Sequence, residues 1–523
     1  MNVFSYSDSA LSVIPPVLAI ILAIVTRRVL LSLGAGILIG SLLLTNFSIA
    51  QAGQYLLGVI KALFWNNGAI NTWNLNILLF IVLLGMITAL ITVSGSAQAF
   101  AKWAKERVRN KRDAKLMTML LGMVIFIDDY FNSLVVGSVA RPLTDRYYIS
   151  RAKLAYLLDS TAAPVCVISP VSSWGAYIIA LIGGILTTHG MAKTSYFGTF
   201  VEMIPMNFYA IFSLLLLLFV SFYGLDVGPM RRHENNAQRG DLYDESKGVP
   251  PGSITVLEED KNGSVLGLFL PIATLVVATI AFMIVTGMQA LMAEDIPFSL
   301  IKAFENTDVG LSLVMGALIG LVVTLFLNWR QGLPIKQTVY AMSRGARSMM
   351  PAVYILLFAW TIAAVIGELE TGKYMASLAT GNIPFALLPA VVFLLAGLTA
   401  FSTGTSWGTF GIMLPIAADM AMGSHSAMML PMLAAVLSGA VFGDHCSPIS
   451  DTTILSSTGA SCHHIDHVTT QLPYALVAAG ISFLGYLVMG FSESVMAGFL
   501  MCSGAFILAL FFLKYLSEQP EKG

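Results

Sequence analysis

Long apolar runs separated by short charged loops dominate the chain. A helix needs about 20 apolar residues to cross ~30 Å of hydrocarbon. Runs of that kind lie near residues 10–26, 29–46, 75–94, 203–223, 264–286, 309–327, 350–366, 473–491 and 494–514. Two longer stretches, 152–187 and 427–458, are apolar but broken by Pro, Ser and Asp. Two others, 116–140 and 384–421, are apolar limbs around a polar middle and read as re-entrant hairpins. At membrane depth irregular backbone survives only where protein buries it or a cavity solvates it, so these four breaks locate the functional centre. The pattern predicts an all-α polytopic membrane protein of about 11 transmembrane helices, two of them broken, with two re-entrant hairpins. Segments 52–66 and 333–347 read as helices lying in the bilayer interface.

Charge gives the direction of the path. Loop 101–115 holds seven Lys or Arg, linker 225–262 five and loop 328–347 four, whereas 47–74, 287–308 and 367–383 hold one each. Cytoplasmic loops attract Lys and Arg, which predicts an outside N-terminus and a cytoplasmic C-terminus in a bacterial inner membrane. The start, MNVFSYSDS, has no positive n-region, so a retained first helix is expected rather than a signal peptide.

The two halves resemble each other at an offset of 275 to 280 residues. LSLGAGILIG (31–40) matches LSLVMGALIG (311–320) at seven of ten positions, and ILLF (77–80) recurs at 355–358. GMVIF (122–126) aligns with GLTAF (397–401), and SPVSS (169–173) with SPISD (447–451). Five spans and a hairpin per copy force opposite orientations, the mark of an inverted-repeat secondary transporter with its site near the midplane. The expected units are a first repeat, 1–224, with hairpin 116–140 on the cytoplasmic side; a flexible cytoplasmic linker, 225–262; a second repeat, 263–493, with hairpin 384–421 facing outside; and an extra span and tail, 494–523. The pairs Gly36/Gly40 and Gly316/Gly320 read as close helix packing rather than transport chemistry.

Composition excludes other classes. Of 523 residues 57% are hydrophobic and 11% charged, where a soluble domain carries about 25% charged. A net charge of -1 offers no basic surplus for nucleic acid. Four cysteines are too scattered for a disulfide framework. No Ser/His/Asp order, HExxH or phosphate loop suggests an enzyme, and broken repeats fit alternating access better than a channel.

The first hairpin tip carries adjacent acids, Asp128 and Asp129, with Asn132 and Ser133. An ionised carboxylate at a helix centre costs about 2.5–3.5 kcal/mol on insertion scales, so a buried pair calls for a cation, a proton or a basic partner such as Arg141. The first broken helix offers Asp159, then Ser169, Ser172 and Ser173 around Pro164 and Pro170. Proline frees carbonyls and hydroxyls add neutral oxygens, the donors a hard cation such as Na⁺ prefers. The second tip, Ser402, Thr403, Gly404, Thr405 and Ser406, has no acid and suits backbone approach to an ion or a substrate carboxylate. The second broken helix carries Asp444, His445, Ser447 and Asp451 around Pro448. Acids and hydroxyls are thus crossed between the halves, and interleaving would let each acid-bearing segment meet a hydroxyl-bearing one. Cys462-His463-His464-Ile465-Asp466-His467 reads as a solvated cytoplasmic loop rather than a zinc site, lacking the zincin glutamate.

The stretches FIDDYFNSL (126–134), DSTAAPVCVISPVSSWGAYI (159–178), TAFSTGTSWGTFGIMLPIA (399–417) and FGDHCSPISDTT (442–453) resemble the NhaC-type Na⁺/H⁺ antiporter family, within the ion transporter superfamily. The resemblance implies a scaffold region and a mobile region bearing two opposed hairpins and two unwound helices. It places Asp129, Asn132, Ser169, Ser172, Ser402, Thr405, Asp444, Ser447 and Asp451 at positions used for ions or substrate.

The first functional expectation is Na⁺/H⁺ antiport, with Asp128, Asp129, Asn132, Asp159, Ser169, Ser172, Ser173, Asp444, Ser447 and Asp451 handling cation and proton. The alternative is Na⁺- or H⁺-coupled movement of a small organic anion or amino acid, with Ser402, Thr403, Thr405 and Ser406 as its binding residues. No cofactor is expected and no metal beyond Na⁺. The partners are Na⁺, H⁺, the lipid bilayer and the organic solute, with a homodimer left open.

Overall fold

In a bilayer, helices satisfy every backbone N–H and C=O within one segment, and the apolar runs fold accordingly. The computed structural model describes residues 4–26, 28–66, 68–105, 108–126, 128–170, 172–191, 195–253, 260, 263–371, 374, 384–424 and 428–519. The first half contains α1 (Ile14–Thr26), α2 (Val29–Leu44), α3 (Ile49–Phe64), a short antiparallel hairpin of β1 (Trp65–Asn66) and β2 (Ala69–Ile70), α4 (Thr72–Val93) and α5 (Ser96–Lys105). It continues through α6 (Lys111–Val124), α7 (Asp129–Arg146), α8 (Arg151–Cys166), α9 (Ser173–Thr188), α10 (Tyr196–Met203) and α11 (Phe208–Tyr223). After α12 (Gly228–Gln238) come α13 (Leu266–Ala293), α14 (Leu300–Glu305), α15 (Val309–Gln331) and α16 (Ile335–Glu368). The chain ends with α17 (Leu388–Thr403), α18 (Ser406–Ser424), α19 (Met429–Cys446), α20 (Asp451–Gly459), α21 (His464–Ser492) and α22 (Val495–Glu518).

Among the described residues nine helices are long and apolar enough to cross a membrane, ten if the bent pair α2–α3 counts as one span. This is fewer than the sequence pattern suggests. The first run is split into a 3₁₀ turn, Ala10–Val13, and the 13-residue α1, and the first broken helix divides into the 16-residue halves α8 and α9. A 117° bend between α2 and α3 turns the latter across the path of its neighbour, in keeping with an interfacial helix. Segment 333–347 differs from expectation: it is continuous with the following span in the 34-residue α16. Pro334 opens that helix, and Pro351 lies inside it.

The linker also departs from expectation. Where described, it is folded rather than flexible. Met230, Glu234 and Ala237 of α12 are buried, Lys111 pairs with Glu234 at 2.8 Å, and Lys247 pairs with Asp466 at 2.6 Å. Apolar residues spaced along one face of α12 give a polar sequence a side to bury, which composition alone conceals.

Packing repeats between the halves. The neighbours α1–α2, α6–α7, α6–α8, α7–α8, α8–α11 and α6–α11 recur as α13–α15, α17–α18, α17–α19, α18–α19, α19–α21 and α17–α21. Contacts across the halves come in matched pairs: α2–α16 with α15–α4, α7–α20 with α9–α18, and α8–α21 with α11–α19. The self-paired contacts α4–α16 and α11–α21 mark where such a two-fold correspondence passes through the molecule. Gly36 and Gly40 lie against α1 and α16, and Gly316 and Gly320 against α13, so these glycines serve helix approach.

Among the described residues two large hydrophobic cores result, with a small third cluster of Leu43, Leu44, Val365 and Leu369. One joins α4, α13, α15 and α16; the other joins α8, α9, α11, α17, α18, α19 and α21. Helix α7 faces both, with Tyr130, Leu134 and Val139 in the first core and Val136 and Ala140 in the second. The four chain breaks lie along this seam.

Candidate functional site

Each break is held by side chains that replace lost helical hydrogen bonds. At the first hairpin, Asn132 Nδ2 donates to the carbonyls of Gly122 (2.6 Å), Ile125 (2.7 Å) and Thr161 (3.1 Å). Two of these acceptors lie where α6 ends, and a helix end leaves its last carbonyls unpaired. At the second hairpin, Gly404 adopts φ 70°. A Cβ there would meet the Ile449 carbonyl at 2.6 Å, so glycine permits both the left-handed turn and the approach of the unwound segment. Ser447 Oγ donates to the Phe401 carbonyl at 2.8 Å and ties that segment to the hairpin.

Four helix beginnings carry or meet the acids. Helix α7 starts at Asp129 and α20 at Asp451. Helix α9 starts at Ser173, which donates to Asp128 Oδ2 at 2.9 Å. Helix α18 starts at Ser406, which donates to Asp444 Oδ2 at 2.9 Å. All four carboxylates are buried. Trp174 Nε1 donates to Asp129 Oδ1 at 2.9 Å, Ser450 donates to Asp444, and Tyr130 donates to Asp451. Among the described residues the buried Asp129 Oδ2 has no hydrogen-bond partner. The crossed pairing of acid-bearing and hydroxyl-bearing segments is present, but it runs within each half. Of these carboxylate bonds, Tyr130 to Asp451 joins a residue of one half to a residue of the other.

The electrostatics follow from the helix ends. A helix N-terminus presents about +0.5 charge, so it stabilises an adjacent carboxylate without neutralising it. Among the described residues no Lys or Arg forms an ion pair with Asp129, Asp444 or Asp451. Arg141 is engaged elsewhere, by the Gly252 carbonyl at 3.0 Å and by Ser461. When ionised, each of the three carboxylates therefore keeps negative charge to be met by a proton or a bound cation.

Other residues singled out from the sequence fall outside this cluster. Asp159 belongs to a separate buried network, accepting from Ser456 at 3.0 Å, from Gln471, and facing His467 Nε2 at 3.2 Å. His445 links the Asp159 carbonyl (3.2 Å) to the Tyr209 hydroxyl (3.1 Å). His467 is thus buried inside α21, not in a solvated loop, because the helix begins at His464. Ser172 caps α9, accepting from Gly175 N at 2.9 Å and donating to the Cys166 carbonyl at 2.7 Å. Ser169 is half-buried at the break. Ser402 and Thr403 turn back on their own helix, to Leu398 O (2.6 Å) and Thr399 O (2.9 Å).

A cavity of about 390 Å³ lies against the site, lined by Trp73, Trp360, Tyr130, Trp407, Thr405 and Asp451 among others. On the linker side, a second cavity of about 470 Å³ is lined by Arg28, Lys247, Ile355, His464 and Asp466. His464 Nε2 reaches the Pro448 carbonyl at 2.8 Å, so the unwound segment 447–450 is bonded to the wall of this cavity and leads into Asp451, which lines the other. The sequence pattern did not single out Tyr130, Trp174, Trp407 or Gln471, and it placed His467 in a solvated loop. One signal was available for Trp174 and Trp407: the tripeptide Ser-Trp-Gly occurs at 173–175 and again at 406–408, and in both copies the serine bonds an acid.

The model of the Na⁺/H⁺ antiporter family matches residues 165–491. An uncharacterized protein of Haemophilus influenzae is 51% identical over 517 residues, covering 98% of this chain and 97% of that protein. The chain belongs to the Na⁺/H⁺ antiporter family. It is also similar to the malate-2H⁺/Na⁺-lactate antiporter of Bacillus subtilis, 34% identical over 175 residues, which span 32% of this chain and 36% of that one. The arginine/ornithine antiporter ArcD of Halobacterium salinarum is 34% identical over 164 residues, 28% of this chain and 29% of its own. This member of the family is thus a multi-pass secondary transporter, and its four breaks, except for the first hairpin, fall inside the matched region.

Proposed function

We propose that the protein exchanges Na⁺ for protons by alternating access across a bacterial inner membrane, with its N-terminus outside and its C-terminus in the cytoplasm. The observation that carries this reading is the set of buried carboxylates at, or bonded to, the first residues of helices, without Lys or Arg ion-pair partners among the described residues. Such groups are stable when protonated or cation-bound, and exchange between those two states is what antiport needs. Asp129, with one oxygen unpartnered among the described residues, and Asp444 and Asp451 are the proposed exchange groups. The two cavities linked by segment 447–450, through His464 and Asp451, support alternating access, since a small shift of hairpins and unwound segments would open one space and close the other. Opposed orientation of the repeats, 1–224 and 263–493, accords with the matched packing of the halves.

Coupling to an organic solute is the second reading. The 390 Å³ cavity exceeds what Na⁺ alone requires, and relatives carry malate, lactate, arginine or ornithine by name. Purified protein in proteoliposomes separates the readings. Dissipation of an imposed pH gradient by Na⁺ alone supports Na⁺/H⁺ exchange. A strict requirement for an organic solute assigns the protein to the second reading.

A further inference from the structure

The cavity beside the acids has a composition that selects a class of ligand. Trp73 comes from the first turn of α4, Trp360 from α16, Trp407 from α18 and Tyr130 from α7. The Trp73 and Trp407 rings lie 6.1 Å apart between centroids at 55°. Trp407 is backed in turn by Tyr177 at 4.8 Å and Trp174 at 6.0 Å. The rings are therefore set by packing, and Trp174 is fixed further by its bond to Asp129. Among the described residues, Asp451 and Tyr130 are the ionisable side chains of the lining, which contains no Lys, Arg or His.

Among the described residues, the lining offers an organic anion no basic side chain to pair with. The helix N-terminus nearest the second tip, that of α18, already faces Asp444 through Ser406, so no vacant terminus remains there for a substrate carboxylate. Aromatic faces attract cations through their quadrupoles, and an acid among several such rings is the recurring design for alkylammonium groups. The volume suits a small organic molecule.

We infer that this cavity binds a small organic ammonium ion, its cationic nitrogen among Trp73, Trp360 and Trp407 and countered by Asp451, as a solute exchanged against the ions. This deepens the second reading of transport, and it makes the solute a cation rather than a malate- or lactate-like anion. The full-length protein in detergent provides the binding test, with tetramethylammonium and phenethylammonium as probes and malate and lactate as the opposing pair. The ammonium probes should quench tryptophan fluorescence saturably and raise the melting temperature, and the anions should do neither. Trp360→Ala should weaken probe binding at least tenfold, and Trp360→Phe should recover most of it. Melting of the ligand-free variants reports whether each is folded. Binding of malate or lactate without the ammonium probes, or unaltered probe binding by folded Trp360→Ala, would overturn the assignment. Na⁺-driven proton exchange measured without organic solute is a separate readout. Its failure alone would count against the exchange proposal and leave the cavity's selectivity to stand or fall on binding.

Discussion

Tyr130, the second residue of α7, donates its phenolic hydrogen bond to Asp451, the first residue of α20. One belongs to the hairpin of the first half and the other to the broken helix of the second. The bond joins two helix N-termini at the wall of the aromatic cavity, where both residues are buried. It therefore ties the aromatic cavity, a proposed exchange carboxylate and the contact between halves together in one pair of side chains.

Tyr130→Phe removes that donor while keeping the ring. A hydrogen bond to a charged acceptor contributes about 1.5–3 kcal/mol, so the ionised form of Asp451 loses stabilisation of that order. Apparent Na⁺ affinity at fixed pH should fall about tenfold or more, a factor that follows from ~1.4 kcal/mol per decade. Initial rates of Na⁺-driven proton release from proteoliposomes measure it. An unchanged Na⁺ dependence would remove this bond from the exchange step.

Gly404→Ala tests whether the tip must lie close against the unwound segment. Its φ of 70° and the Ile449 carbonyl 2.6 Å from a built Cβ oppose any side chain. The left-handed backbone alone costs an alanine about 1–2 kcal/mol, and the hairpin must also retreat from Ile449. Transport should drop at least tenfold with the protein still present in membranes. Gly480→Ala, where nothing lies within 4 Å, should leave rates unaltered.

The folded linker predicts a pH response of its own. Burial pulls the His233 imidazole of α12 below its ordinary range, outweighing the attraction of Asp466 and Asp244, while Lys247 and Arg232 oppose its charging. A histidine that resists protonation when docked takes up its proton more readily when undocked. Docking is therefore favoured above the free-histidine range, near pH 6.5, and is progressively lost as pH falls below it. Hydrogen exchange across 228–247 should be faster at pH 5.5 than at pH 7.5 after correction for intrinsic rates. His233→Gln should flatten that difference.

The architecture was legible where the chain breaks its own pattern. Pro, Gly and paired acids stand out inside apolar runs, so all four interruptions, from Asp128 to Asp451, were visible as sequence. The repeat was visible through short motifs such as SPVSS and SPISD, because the same break is built twice. What closes the site was less visible. Tyr130, Trp174 and Trp407 sit in apolar surroundings, where an aromatic residue reads as core until a partner for its polar atom is known. His467 and Gln471 were hidden because one helical turn decides whether a polar residue faces solvent or Asp159. The linker read as flexible because composition does not reveal that Glu234 finds Lys111 and that Lys247 finds Asp466.

Asp129 provides the most direct test. Its Oδ1 accepts from Trp174 and its Oδ2 has no partner among the described residues, so the amide of Asp129→Asn retains an acceptor for the indole while removing the exchangeable charge. The measurement is the pH change inside proteoliposomes after a Na⁺ pulse, comparing this variant with the parent protein at equal incorporation. The parent should collapse the imposed pH gradient, and Asp129→Asn should leave it standing. Collapse of the gradient by Asp129→Asn at the parent's rate would contradict the proposed role of this carboxylate in ion exchange.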